Sequence, residues 1–294
     1  MRNPYLKYIL ALLIFGTNGI VASYIALSSY EIVLARTFIG SLFLALVFAV
    51  SRQPAKSRKT KKDFCFLAVS GIAMGTSWMF LYEAYSQIGV SVATLVYYCG
   101  PVFVMVLAPL VFREKITSAK LFGFAAVLLG MYLVNRQGSA HSGFSWGLAC
   151  GFLAALMYVV MLIFNKKATG ITGLENATLQ LSFSFVVVFI FTVAKQGIAI
   201  SVPTQSILPV LVLGVLNTGV GCYLCFSAIP RLPAQTAAIC GYLEPVSALL
   251  FSAVFLSERL TAVQLVGTLF VLGGAAFGEL YKPRLRGEPT PKNS

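Results

Sequence analysis

Charge is scarce in this chain of 294 residues: 11% of positions are Asp, Glu, Lys or Arg, against about 25% in soluble domains. Nine acidic residues and one histidine leave little material for acid-base or metal chemistry. The histidine, His141, stands in a polar connector with no ligand-type residue beside it, so neither a metal nor a cofactor is expected. Cysteines are equally uninformative as ligands. Cys65, Cys99, Cys150, Cys222, Cys225 and Cys240 all fall inside apolar runs, which excludes a disulfide framework and a zinc cage. The string CYLC at 222–225 has redox spacing but reads as small apolar filling. A GxxxxGK[ST] loop is missing, so this chain alone does not couple to ATP. With no histidine in an apolar run and no paired carboxylates at mid-run, an enzyme is not expected either.

What fills the sequence instead is apolar: 58% hydrophobic residues and a mean hydropathy of +0.86. A net charge of +13 raises nucleic acid as a partner, but the basic residues cluster between apolar runs and at the tail, as membrane anchoring requires. The expected partners are the lipid bilayer and a small-molecule substrate, not nucleic acid; a homodimer is left open. A bilayer core takes about 20 apolar residues per helix. Cutting at polar and Gly/Pro breaks predicts ten spans, near 5–27, 31–50, 64–87, 89–111, 118–135, 145–165, 176–196, 206–228, 233–256 and 260–281. The basic start resembles a signal peptide, yet the run continues to Ala26 and is read as a retained first span. With both termini cytoplasmic, 18 basic residues lie inside and three outside (Arg136, Lys195, Arg259), which predicts that orientation in a cell membrane, the inner membrane of a bacterium. The sequon at Asn176 then faces inward and is accidental.

The chain also repeats. Shifted by 144 residues, the segment from Val90 matches that from Ala234 at 11 of 41 positions, including Tyr98/Tyr242, Pro101/Pro245, Glu114/Glu258, Thr117/Thr261, Gly123/Gly267 and Gly130/Gly274. This predicts an all-α integral membrane protein of ten transmembrane helices in two five-helix repeats, 1–140 and 141–294. An odd number of spans per repeat inverts the second relative to the first, and in inverted repeats the substrate site lies at the midplane between them.

The opening FGTNGIVASYIALSSYEIVLARTFIGSLFLAL and the paired Y-x-x-P-V … E-[KR]-[IL]-T segments resemble EamA-like proteins of the drug/metabolite transporter superfamily. Family members often carry Trp-Gly where this chain has Phe15-Gly16. The resemblance implies a ten-helix carrier, commonly an exporter, that moves small metabolites, amino acids or drug-like molecules by alternating access.

The charges within spans are then the candidate functional residues. Arg36 and Glu83 fall at equal depth, roughly 7 Å below the outer edge by helical rise, and are read as an ion pair or a gate. Glu31 is read as a cap of its own helix, and Glu114 with Thr117 as turn and cap chemistry. Glu244 differs: it is the only charge between Leu232 and Leu256 and lies near the midplane. A carboxylate facing lipid there costs about 2.5–3.5 kcal/mol, so it should face a cavity or be protonated. Pro245 and its mate Pro101 predict helix breaks, Pro245 by leaving the carbonyl of Gly241 without a donor. Two alternatives stand for Glu244: a protonated structural residue bonded to a neighbouring helix, or a proton-coupling acid and counter-charge for a substrate ammonium. Asn18, Trp78, Tyr97, Tyr158 and Asn217 share its depth, and Trp78, Tyr82 and Tyr85 line one helix face. Aromatics beside a carboxylate suit a cationic or zwitterionic solute. The expectation is a secondary transporter exporting such a solute with proton coupling; a carrier of uncharged or anionic metabolites, or a lipid flippase, are the alternatives.

Overall fold

The first helix starts where an amide side chain can cap it. Asn3 accepts from the backbone N–H of Tyr5 at 2.9 Å with Pro4 at the first helical position, and α1 runs Pro4–Gly16. The computed structural model describes residues 3–51, 60–88, 93, 96–135, 146–197, 202–255 and 261–280. After α1 come α2 (Asn18–Ser23), α3 (Ser29–Val50), α4 (Lys61–Ile88), α5 (Cys99–Phe112) and α6 (Ser118–Asn135). Next are α7 (Trp146–Lys167), α8 (Leu174–Gln196), α9 (Ile207–Val212), a π-helical segment Leu213–Val220, α10 (Gly221–Ala228), α11 (Ala234–Gly241), α12 (Leu243–Phe255) and α13 (Ala262–Leu280). No strand occurs among the described residues. Among the described residues, seven helical stretches of 20 to 28 residues are long and apolar enough to cross a membrane, and three shorter apolar helices, Cys99–Phe112, Ser118–Leu133 and Ala262–Gly278, accompany them.

The helix starts follow expectation. Ser28 and Glu31 form a reciprocal capping box, with the N–H of Ser28 donating to the Glu31 carboxylate at 2.8 Å. Thr261 and Gln264 do the same for α13. Asn176, the sequon residue, is buried and bonded to Asn165 and the carbonyl of Ile171.

Several predicted spans are not continuous. The first breaks at Thr17, whose hydroxyl turns back onto the carbonyl of Ile14. Gly16 at this break lies so close to α12 that a Cβ would meet the Ser247 hydroxyl at 2.0 Å. The eighth carries the π-helical turn, where the Thr218 hydroxyl donates to the carbonyl of Leu213 five residues back. The expected break in the ninth span falls at Tyr242, three residues before Pro245, and Tyr98 holds the equivalent place before Pro101. Each proline sits in the first turn of the helix that follows, where no intrahelical donor is lost. Tyr98 and Tyr242 are 144 residues apart and touch: the Tyr242 hydroxyl donates to the Tyr98 carbonyl at 2.7 Å.

The packing repeats with the same shift. Helix α4 packs on α7 and α8, while α1 packs on α10 and α3 on the π-helical segment, the contacts that a 144-residue displacement predicts. Helices α3 and α8 pack on each other, as do α6 and α13. In the last pair Gly123 meets Gly274 and Gly130 meets Gly267, with Cβ positions 2.5 Å from the facing carbonyl. Shifting Gly123–Gly274 by 144 gives Gly267–Gly130, the same interface read from the other side. The two helices run antiparallel about a two-fold relation, as an inverted repeat requires.

Candidate functional site

The helix breaks surround a cavity of about 540 Å³. Its wall comes from α1 and α2 (Tyr8, Asn18), α3 (Arg36), α4 (Trp78, Tyr82, Tyr85), the residues before α5 (Tyr97, Tyr98), α7 (Tyr158), α10 (Cys222, Cys225) and α12 (Glu244). One end reaches Ser29 and the exposed Ser86. The other end, toward the start of α1, is floored by the buried side chains of Tyr8, Leu12, Phe226 and Ile229.

Glu244 lines this cavity from the first turn of α12, and among the described residues its carboxylate has no hydrogen-bond or ion-pair partner. The expected alternative of a glutamate bonded to a neighbouring helix is therefore not found there. Around it are the rings of Tyr97 and Tyr158, whose centroids are 5.8 Å apart, and of Tyr98. Asn18 and Trp78, expected at this depth, also line the cavity, as do Tyr82, expected on the face of Trp78, and Pro101, expected as a helix break.

Arg36 and Glu83 are not paired with each other. Glu83 lies outside the cavity wall and pairs with Lys195 at 2.5 Å, and Lys195 also donates to the Tyr30 hydroxyl at 3.2 Å. Equal depth was legible in the sequence; the direction each side chain takes around its helix was not. The long lysine stem reaches back from the end of α8 to take the place assigned to Arg36. Arg36 turns inward instead. Its Nε donates to the Thr218 hydroxyl at 2.9 Å, its Nη2 to the Asn18 side-chain oxygen at 3.5 Å, and the guanidinium stacks on Trp78 at 4.9 Å.

Asn217 stands behind the wall, not on it. Its amide donates to the Ile14 carbonyl at 3.0 Å, the Thr17 hydroxyl at 2.8 Å and the Asn18 oxygen at 3.1 Å, bracing the break in the first span. Pro245 is likewise outside the wall. Tyr8, Tyr98, Cys222 and Cys225 are wall residues that went unanticipated, and Arg36, read as an ion pair or a gate, joins them. Tyr98 carried a signal, since it coincides with Tyr242 in the repeat; Tyr8, near the basic start, carried none.

At the floored end Glu114 does more than close its own turn. Arg113 ends α5 in the left-handed conformation, at φ 56°, and the Glu114 carboxylate then accepts from the N–H of Ala234 at 2.7 Å and of Gln235 at 3.2 Å. It thus caps α11, 120 residues away. Lys166 pairs with the same carboxylate at 3.3 Å and donates to the Leu232 carbonyl. His141, Glu258, Arg136 and Arg259 lie outside the described residues. No group of three or more His, Cys, Asp or Glu suited to a metal occurs among the described residues.

The sequence is similar to several transporters. It shares 24% identity over 92% of its length, and 88% of the other chain, with the uncharacterized transporter YxxF of Bacillus subtilis. It shares 23% identity over 92% and 93% with the uncharacterized inner membrane transporter YicL of Salmonella typhimurium. A protein solved by crystallography has the same fold, with a TM-score of 0.81 over 94% of this chain and 96% of that one at 17% identity. The pattern of the EamA-like transporter family matches residues 3–136 and again 145–277. An all-α membrane fold with a cavity between helices and two matches that together span most of the sequence lead to one assignment: the chain belongs to the EamA-like transporter family.

Proposed function

We propose that the protein is a secondary carrier in the cell membrane that exports a small cationic or zwitterionic metabolite by alternating access, with proton coupling through Glu244. The observation that carries this reading is an unpaired carboxylate in an aromatic-walled cavity that opens at one end and is floored at the other. Its volume suits a metabolite, since small-molecule pockets run from about 300 to 1,000 Å³. A carboxylate in such a wall binds an ammonium by charge, the tyrosine and tryptophan faces add cation-π attraction, and proton and substrate compete for the same oxygens. That competition couples export of a cation to entry of a proton. The basic bias puts both termini in the cytoplasm, so the cavity as seen opens outward, and the two halves, 1–140 and 141–294, rock about it.

The test is transport by the full chain in proteoliposomes carrying an imposed pH gradient, first screened with amines, amino acids and quaternary amines. Glu244→Gln should abolish the response to the pH gradient while the protein still folds and inserts. Unaltered transport with an unaltered pH profile would remove Glu244 from the mechanism. A substrate range confined to anions would remove the cation preference.

A further inference from the structure

Arg36 is the second charge of the cavity, and like Glu244 it closes no salt bridge among the described residues. It is 6% exposed, and the three groups that hold it, Thr218, Asn18 and Trp78, carry no formal charge. No acid among the described residues closes a salt bridge with it, although Glu244 acts on it electrostatically across the cavity. Glu83 is taken by Lys195, Glu31 by the helix start at Ser28, and Glu244 forms no salt bridge with it. Among the described residues Nη1 has no hydrogen-bond partner, and the residue lines the cavity. Buried charges are normally paired, because an isolated one is costly to desolvate.

The guanidinium is also held in one plane. The π-helical turn commits the Thr218 hydroxyl proton to the carbonyl of Leu213 at 2.8 Å, which leaves its lone pairs for Nε of Arg36. Asn217 fixes the Asn18 oxygen from behind. A planar, fixed donor edge facing a cavity is the geometry that matches a carboxylate.

We infer that Arg36 is the carboxylate subsite of the cavity, so that the substrate is a zwitterion bound between the guanidinium and the Glu244 carboxylate. This rests on the carrier reading above and deepens it. Each charge then also rejects a wrong ligand: a simple cation meets Arg36 unpaired, and a simple anion meets Glu244. The separation of the two ligand charges is left to the experiment, which therefore spans α- and ω-amino acids.

The experiment uses the full-length protein in proteoliposomes. The probes are alanine, leucine, phenylalanine, lysine and γ-aminobutyrate, each with its decarboxylated amine and its methyl ester. In the unmodified protein the preferred amino acid should half-saturate at least tenfold below its amine and its ester. Arg36→Gln should erase that preference, and Arg36→Lys, which keeps charge but loses the planar fork, should fall between. Glu244→Gln should weaken amino acid and amine together. The unfolding midpoint of each variant reports its fold; where Arg36→Gln does not fold, Arg36→Lys carries the test. If amine and amino acid half-saturate alike, and the Arg36 variants leave that ratio unchanged, Arg36 is not a carboxylate subsite while Glu244 keeps its role. If no amino acid and no amine is transported, the cationic reading falls and this inference falls with it.

Discussion

At the scale of single residues, the site depends on side chains that never touch the cavity. Asn217 is fully buried and spends its amide on the Ile14 carbonyl, the Thr17 hydroxyl and the Asn18 oxygen, all at the break in the first span. Replacing it by Ala removes these part-buried hydrogen bonds, a net loss of about 0.5–1.5 kcal/mol each. The expected outcome is a lower unfolding midpoint in detergent together with weaker substrate binding, because Asn18 loses the brace that holds it against Arg36. An Asn217→Ala protein with unchanged midpoint and unchanged affinity would show that the break needs no bracing. The residue types and depths in this cluster were legible in the sequence. Azimuth was not, since span midpoints fix how deep a side chain lies and say nothing of which neighbour it faces. Hence Asn217 was expected on the wall, and Arg36 beside Glu83.

At the scale of elements, adjacent glycines in α13 separate packing from propensity. A Cβ on Gly274 would lie 2.5 Å from the carbonyl oxygen of Gly123, whereas one on Gly273 would meet nothing within 4 Å. Gly274→Ala should therefore destabilise by roughly 1–3 kcal/mol through overpacking. Gly273→Ala should be neutral or stabilise by up to about 1 kcal/mol, the helix propensity it gains over glycine. Unfolding midpoints of the two single variants decide this, and equal midpoints would deny the close contact of α6 and α13. The long apolar helices, the caps at Ser28 and Thr261 and the shared glycines were readable because each rests on local pattern. The break at Thr17 and the π-helical turn were not. Both are set by partners on other helices, Asn217 for the first and, for the second, a Thr218 hydroxyl shared between Leu213 and Arg36, and no local propensity announces them.

At the scale of the whole molecule, an inverted repeat would let one chain hold the two states that the proposed carrier needs. Its halves are alike but not identical, and the contacts that close one end need not form when the other end closes. In the structure the closed end is the one where α1 begins, and Glu114 ties it. That carboxylate, from the first half, accepts two N–H bonds at the start of α11 and pairs with Lys166, both in the second half. Hydrogen bonds to a charged group are worth about 1.5–3 kcal/mol each. The ion pair adds less, since both side chains are only about 15% exposed and the cost of desolvating them offsets much of the Coulombic gain. Glu114→Gln keeps one acceptor and loses the charge, so a net loss of about 1.4 kcal/mol, tenfold in population, is a fair expectation. The cavity supplies its own reporters, Cys222 and Cys225. With the other four cysteines replaced by Ala, a membrane-impermeant thiol reagent added at the open end should label these two in the parent protein. In Glu114→Gln, labelling from that end should fall and labelling from the end where α1 begins should rise. Glu114→Ala, which removes both acceptors, should shift it further in the same direction. Labelling that stays on the original side in both variants would mean that the floor of buried side chains, not the Glu114 contacts, holds this end shut.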